Sequence, residues 1–163
     1  MNLLLFGFKG SGKSFWGEKV AERTGAPLFD TDRLLEERTG LSPPALYKQV
    51  GETTFRRLEE EAIAPLAKLQ GAIIALGGGA ILSLKTQRLF ATNSRFVYLK
   101  ATLATIEQRL LSPPQFLGGK TLAEVYRERT LLYAEIPALP LAVDETPQEL
   151  LLQRLTEHFL HGF

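Results

Sequence analysis

Five short apolar runs punctuate the chain, separated by stretches whose apolar positions return at helical spacing. Residues 2–6, Asn2-Leu3-Leu4-Leu5-Phe6, read as a strand buried on both faces; a glycine-rich turn then leads into a helix over 13–24 that Gly25 closes. Pro27 starts a short strand at 27–29, and residues 30–39 suit a helix capped by Asp30 or Thr31 and ended by Gly40. A short helix near 44–50 leads into a longer one at 52–69, where Phe55, Leu58, Ile63 and Leu66 alternate with Glu52, Arg56, Arg57, Glu59, Glu60 and Glu61. Residues 72–76 are a second continuous apolar run, too short for a helix and halted by Gly77-Gly78-Gly79. The pattern continues as a helix at 84–91, a strand at 96–99, a helix at 102–111 and a loop at 113–119. It closes with a helix at 122–135, a strand at 139–143 and a last helix at 147–161.

This alternation predicts an α/β fold: a five-stranded parallel sheet sandwiched between helices in three layers, α/β/α. No repeat, low-complexity segment or linker divides the 163 residues, which are expected to form a single domain, 1–163. Ligands of such sheets bind beyond the carboxyl ends of the strands. Residues 7–14, 30–32 and 77–79 all follow strand ends, so they are expected to converge on one crevice.

The first of these segments is GFKGSGKS, Gly7 to Ser14, which fits G-x-x-x-x-G-K-[ST] without mismatch. Backbone N–H groups at a helix N-terminus form an anion cradle, and Gly7, Gly10 and Gly12 let the chain curl close to phosphate oxygens. Lys13 can then reach β- and γ-phosphates, and the Ser14 hydroxyl can ligate Mg²⁺. By chance such a match arises in roughly one protein per hundred at ordinary glycine usage, and a strand before and a helix after cut that further.

Composition narrows the classes. A formal net charge of +1 gives no electrostatic case for nucleic acid or an anionic membrane. The absence of cysteine excludes disulfides, thiolate metal sites and a cysteine nucleophile. Gly7 and Lys9 interrupt the N-terminal apolar run before it resembles a signal peptide, and no run approaches the ~20 residues that span a bilayer. A cytoplasmic protein with no membrane and no nucleic-acid partner is expected.

Several side chains carry two readings each. Asp30-Thr31-Asp32 offers one carboxylate to a nucleotide-bound Mg²⁺ and another to a substrate hydroxyl; Asp30 is equally a helix N-cap. Gly77-Gly78-Gly79 suits close approach of a ligand to the backbone, or a tight turn. Arg56, one turn into its helix, can fork onto a carboxylate, or pair with Glu52, Glu59 or Glu60 on a solvated face. Arg127 and Arg129 share that second reading, and Arg109 suits the end of a helix dipole. Trp16 reads as packing surface; His158 and His161 lie away from every motif.

Taken together, GFKGSGKS, DTD (Asp30 to Asp32), ERTG (Glu37 to Gly40), GETTFRRLEEE (Gly51 to Glu61), LGGGA (Leu76 to Ala80) and RTLLY (Arg129 to Tyr133) resemble the shikimate kinases over nearly the whole chain. These are P-loop NTPase-type kinases built like nucleoside monophosphate kinases. The resemblance implies phosphorylation of the 3-hydroxyl of shikimate by ATP, with Mg²⁺, in the pathway to aromatic amino acids. It implies that Lys13 and Asp32 are catalytic. ATP would lie against Gly10, Ser11, Gly12, Lys13, Ser14, Phe15 and Arg109, the last at the adenine. Shikimate would lie against Asp32, Arg56, Gly78 and Arg129, with the two arginines on its carboxylate. Ser14 and Asp30 would serve the metal. A monomer is expected by the same resemblance.

One stretch departs from the family. Its mobile lid usually carries an arginine in an R-P-L-L-like run, whereas the lid segment here, about 111–121, reads LSPPQFLGGKT with no arginine. Lys120, hinged by Gly118 and Gly119, is expected to take over that charge toward ATP. Two alternatives stand beside an active shikimate kinase: a gluconate-type small-molecule kinase, and a nucleotide-binding module without catalysis. A GTPase switch is disfavoured further, since no N-K-x-D run is present to read guanine.

Overall fold

The alternation inside the first strand sets the layers. In the computed structural model, which describes residues 1–110 and 118–162, Asn2–Phe6 (β1) is enclosed on both sides. Leu3 and Leu5 pack with Val20, Leu151, Leu155 and Phe159, while Leu4 and Phe6 face Ile63, Phe90, Ile106, Val125 and Tyr133. Successive side chains on a strand point to opposite faces, so one apolar run feeds two cores. Full burial of each such side chain contributes about 1.5–3 kcal/mol.

Four further strands flank β1: Leu28–Asp30 (β2), Ile73–Ala75 (β3), Ser94–Lys100 (β4) and Leu139–Ala142 (β5). The sheet order is β2-β3-β1-β4-β5, with every neighbouring pair parallel and Leu4 level with Ile74 on one side and Phe96 on the other. Helices Lys13–Thr24 (α1) and Gln148–His161 (α7) cover one face. Pro43–Ile63 (α3), Leu84–Phe90 (α4), Leu103–Arg109 (α5) and Leu122–Ala134 (α6) contribute to the other. Thr31–Thr39 (α2) joins α3 around Leu35, Leu46, Phe55 and Ala62. The five-stranded α/β/α sandwich expected from the pattern is the fold observed. None of the helices among the described residues is long and apolar enough to cross a membrane.

Element ends differ from expectation where chemistry outside the hydrophobic pattern intervenes. The predicted break before Glu52 is present inside α3: Gly51 has φ 80° and ψ 173°, a left-handed kink that a side chain would strain. Beyond Ile63 the expected long helix tightens to a 3₁₀ turn at Ala64–Lys68, since Pro65 supplies no N–H. Strand β4 starts two residues earlier than predicted, because Arg95 points away to donate to the His158 and Phe159 carbonyls at the end of α7. Pro140 is tolerated in β5 because that strand is an edge, paired only with β4. The expected loop at 113–119 and the lid lie largely outside the described residues.

The topology positions the site. β1 has β3 on one side and β4 on the other, so the connections leaving its carboxyl end diverge and open a crevice there. The phosphate loop follows β1, Asp30–Asp32 ends β2, and Gly77–Gly79 follows β3.

Candidate active site

The loop after β1 is shaped by glycine. Gly7, Gly10 and Gly12 have φ of 154°, 88° and 96°, and a Cβ on Gly7 would press against the Leu99 carbonyl and the Ser11 hydroxyl. Ser11 is fully buried under the loop, with its N–H bonded to the Phe8 carbonyl at 3.0 Å. Gly12 caps α1 without a side chain, so the first helical turn opens directly onto the crevice. Lys13 Nζ donates to the carbonyls of Gly7 (2.8 Å) and Phe8 (3.1 Å). Enclosure draws the Lys13 ammonium down to about 8, against the opposing pull of Asp32 and Asp30.

Asp30 is the N-cap of α2 and also meets the Ser14 hydroxyl. One carboxylate oxygen accepts a short hydrogen bond from the Ser14 hydroxyl. The other caps α2, accepting from the N–H groups of Asp32 (3.0 Å) and Arg33 (3.4 Å). Two hard oxygen donors therefore stand together at the mouth of an anion cradle. Such a set fits Mg²⁺, which binds through one or two protein oxygens plus phosphates and water rather than an all-protein cage. Among the described residues no cluster of three His, Cys, Asp or Glu side chains offers a cage of that kind.

A cavity of about 390 Å³ lies over this loop, and Lys13, Ser14, Phe15, Asp32, Arg56, Gly78 and Arg129 all line it. Burial raises the Asp32 carboxyl above its ordinary range although Lys13 pulls the other way. Arg56 donates to Glu59 at 2.7 Å, and Glu59, itself buried, is likewise raised by desolvation against the counter-pull of Arg56. Of the partners weighed for Arg56, Glu59 is one, but the pair sits in the cavity wall and not on a solvated face. Arg129 lies with its guanidinium carbon 5.8 Å from the Phe8 ring.

Two of the three glycines after β3 have a further cause, which neither earlier reading names. A Cβ on Gly77 would stand 2.8 Å from Asp32 Oδ1, and one on Gly79 would stand 2.7 Å and 2.9 Å from Arg56 Nη1 and Cζ. The bare backbone is a seat for the site's own side chains. Gly79 has φ −94°, which alanine adopts readily, and the clashing group is the tip of a flexible side chain. Gly79→Ala is therefore expected to fold with near-normal thermal stability while moving Arg56. Were Arg56 to hold the acceptor substrate, KM for that substrate would rise about tenfold with KM for nucleotide unchanged, which steady-state kinetics checks.

A second cavity of about 450 Å³ shares Gly10, Gly12 and Phe15 with the first and extends to Trp16, Arg109, Val143 and Gln148. Arg109 donates to the Gly10 carbonyl at 3.0 Å. The start of its helix is clasped by Asp144, which accepts from the Thr102 N–H and the Thr105 hydroxyl, both at 2.6 Å. Trp16, expected as packing surface, is packed against the core and also edges this cavity.

Lys120 stands apart from its sequence-based expectation. Gly118 and Gly119 have the left-handed φ of a hinge (54° and 81°), but Lys120 Nζ holds both carboxylate oxygens of Glu128 at 2.8 Å and lines neither cavity. The rest of the lid, 111–117, lies outside the described residues. Sequence reasoning named Glu59 only as a solvated-face partner for Arg56, and passed over Phe55, Pro43 and Pro44 on the cavity wall and Tyr133, whose hydroxyl meets the Gly78 carbonyl. The i, i+3 spacing of Arg56 and Glu59 and the tyrosine ending RTLLY were the available signals.

Comparison with known proteins agrees with this geometry. The family model described as shikimate kinase matches residues 9–159. A shikimate kinase of Thiobacillus denitrificans is 36% identical over 141 residues, covering 83% of this chain and 77% of that one. One from Thermobifida fusca is 36% identical over 152 residues, covering 90% and 88%. Among solved structures, shikimate kinase from Acinetobacter baumannii in complex with shikimate superposes with a TM-score of 0.85 at 25% identity, covering 98% of this chain and 92% of that one. A gluconokinase from Sinorhizobium meliloti reaches 0.61 at 18% identity and shares the fold alone. With a family model along nearly its full length and relatives above 30% identity across most of it, the chain belongs to the shikimate kinase family.

Proposed function

We infer that this protein transfers the γ-phosphoryl group of ATP to the 3-hydroxyl of shikimate, giving shikimate 3-phosphate and ADP. The observation that carries the reading is the meeting of Asp32, Arg56 and Arg129 around one cavity whose floor is the Lys13 loop. An acid-binding pair of guanidinium groups, a carboxylate and an anion cradle are what a small hydroxylated carboxylic acid and a triphosphate require.

In this reading Arg56 and Arg129 hold the shikimate carboxylate, and the Gly78 backbone lies beside it. Asp32 accepts the proton of the attacking hydroxyl as that oxygen bonds to the γ-phosphorus and the bond to the β-phosphate oxygen breaks. Lys13 offsets the charge on the transferring group. Ser14 and Asp30 would hold Mg²⁺, which would supply positive charge to offset that of the phosphates. Gly10, Ser11, Gly12 and Phe15 enclose the phosphates, and Arg109 faces the adenine at the second cavity. Positioning and charge stabilisation supply the rate, as in phosphoryl transfer generally. Lys120 reaches the nucleotide only by leaving Glu128, and the protein acts as a monomer.

An ADP-release assay across shikimate, gluconate and nucleoside monophosphates tests the assignment: turnover is expected with shikimate alone. In the same assay Arg56→Ala is expected to raise KM for shikimate about 10²-fold, the loss of charge-assisted hydrogen bonds, and to leave KM for ATP within about twofold. Since that change strands a buried Glu59, Arg56→Ala/Glu59→Gln should recover stability without recovering shikimate affinity. Turnover of gluconate, or equal losses for both substrates, overturns the reading.

A further inference from the structure

The motif RTLLY contributes Arg129 to the cavity, yet its last residue is the more enclosed of the two. Tyr133 has no solvent exposure and packs its ring against Phe6 (centroids 5.8 Å apart) and Tyr98 (5.4 Å) on the sheet. It lies one helical turn beyond Arg129 on α6, on the same face. Its hydroxyl donates a short hydrogen bond to the Gly78 carbonyl, a residue 55 positions away in the turn after β3. Burial pushes the Tyr133 phenol up to about 12, with the charge of nearby Arg129 pulling the other way. Arg129 Nη1 also lies 3.5 Å from where a Cβ on Gly78 would stand, so guanidinium and glycine backbone are neighbours.

A buried phenol can donate once and accept as well. Here the donor goes to the Gly78 carbonyl, so neither the hydroxyl nor that carbonyl is left unpaired in a desolvated place. The core-facing ring is anchored by two aromatic neighbours, so the hydroxyl is a fixed reference point between two elements that share no backbone hydrogen bonds. We propose that Tyr133 is a positioning residue: its hydroxyl ties α6, which carries Arg129 one turn earlier, to Gly78 after β3, and thereby sets the geometry in which the substrate carboxylate is held. This rests on the reading that Arg129 binds that carboxylate.

Tyr133→Phe keeps the ring and its packing and removes one oxygen, so it isolates the link. Calorimetric titrations with shikimate, its uncharged methyl ester and ATP separate the possibilities. Tyr133→Phe is expected to weaken shikimate about tenfold, leaving the ester and ATP within about twofold, so that the preference for acid over ester narrows. Arg129→Ala is the reference, expected to collapse the same preference. If Arg129→Ala narrows it and Tyr133→Phe does not, Tyr133 is a structural hydrogen bond and the proposal falls alone. Equal weakening of acid, ester and ATP by Tyr133→Phe, or a lowered melting temperature with the preference intact, overturns it too. If Arg129→Ala leaves the preference unchanged, the carboxylate assignment fails first and the positioning role fails with it.

Discussion

Asp32→Asn is expected to lower kcat by roughly 10²–10⁴-fold while leaving ATP affinity within about twofold, the loss typical of removing a general base. The residue is held for such a task. Its backbone N–H is bonded to Asp30 Oδ1, its own carboxylate rests against the bare Gly77, and the Lys13 ammonium faces it across the loop. Desolvation raises its pKa above the ordinary carboxylate range, which brings it nearer the value at which a carboxylate removes a proton usefully. The sign follows directly. As pH falls through the raised pKa, Asp32 takes up a proton and can no longer accept one, so kcat/KM should fall at a pH above that of an ordinary aspartate. A pH–rate profile of wild type and variant checks this, with the acid limb flattened in Asp32→Asn. Retention of more than a fifth of kcat, with the limb unchanged, would leave Asp32 only an orienting role.

The alternation of apolar runs with helical spacing was enough to read five strands and a parallel sheet; it was clearest for β1 and β3, buried on both faces, and least exact at the start of β4, where Ser94 and Arg95 interrupt the apolar run. Local chemistry was legible as well: Gly12, Gly25, Gly40 and Gly51 each break a periodic segment where the chain turns left-handed. The meeting of residues 7–14, 30–32 and 77–79 followed from topology alone, since each trails a strand that the sheet order sets beside its neighbour. The wall of the site was less legible. Glu59 sits in a run of charges that looks like a solvated face, and only the packing of α3 over the β3 turn encloses it. The glycine triplet could be read as a turn or a ligand contact; what no spacing announced is that Asp32 and Arg56, arriving from other elements, leave no room for a Cβ on Gly77 and Gly79. Tyr133 and Gly78 are joined across 55 residues by the docking of α6, a contact that no local spacing announces. Lys120 shows the converse: the hinge glycines suggested reach, and the structure supplies a nearer carboxylate in Glu128.

Lys13→Met should cost still more, about 10³-fold or greater in kcat, because it removes the cation proposed to face the transferring phosphoryl group together with the brace across its own loop. The brace is the pair of bonds from Nζ to the Gly7 and Phe8 carbonyls, which the thioether cannot make. Nucleotide affinity should fall as well, which distinguishes this variant from Asp32→Asn. A second signature comes from protons. Enclosure holds the Lys13 ammonium at about 8, so in the nucleotide-free protein a growing fraction is neutral as pH rises from 7 to 9. Phosphate oxygens arriving beside it favour the charged form and raise that pKa, so binding must be accompanied by proton uptake that grows across this range. ATP is fully ionised there, since a phosphate monoester's second pKa lies near 6. Titration calorimetry in buffers of different ionisation enthalpy measures the uptake, which should be small at pH 7, larger at pH 8.5 and absent in Lys13→Met. Uptake that persists in the variant would assign the proton to another group, and pH-independent binding in the wild type would mean that Lys13 meets the phosphates already fully charged.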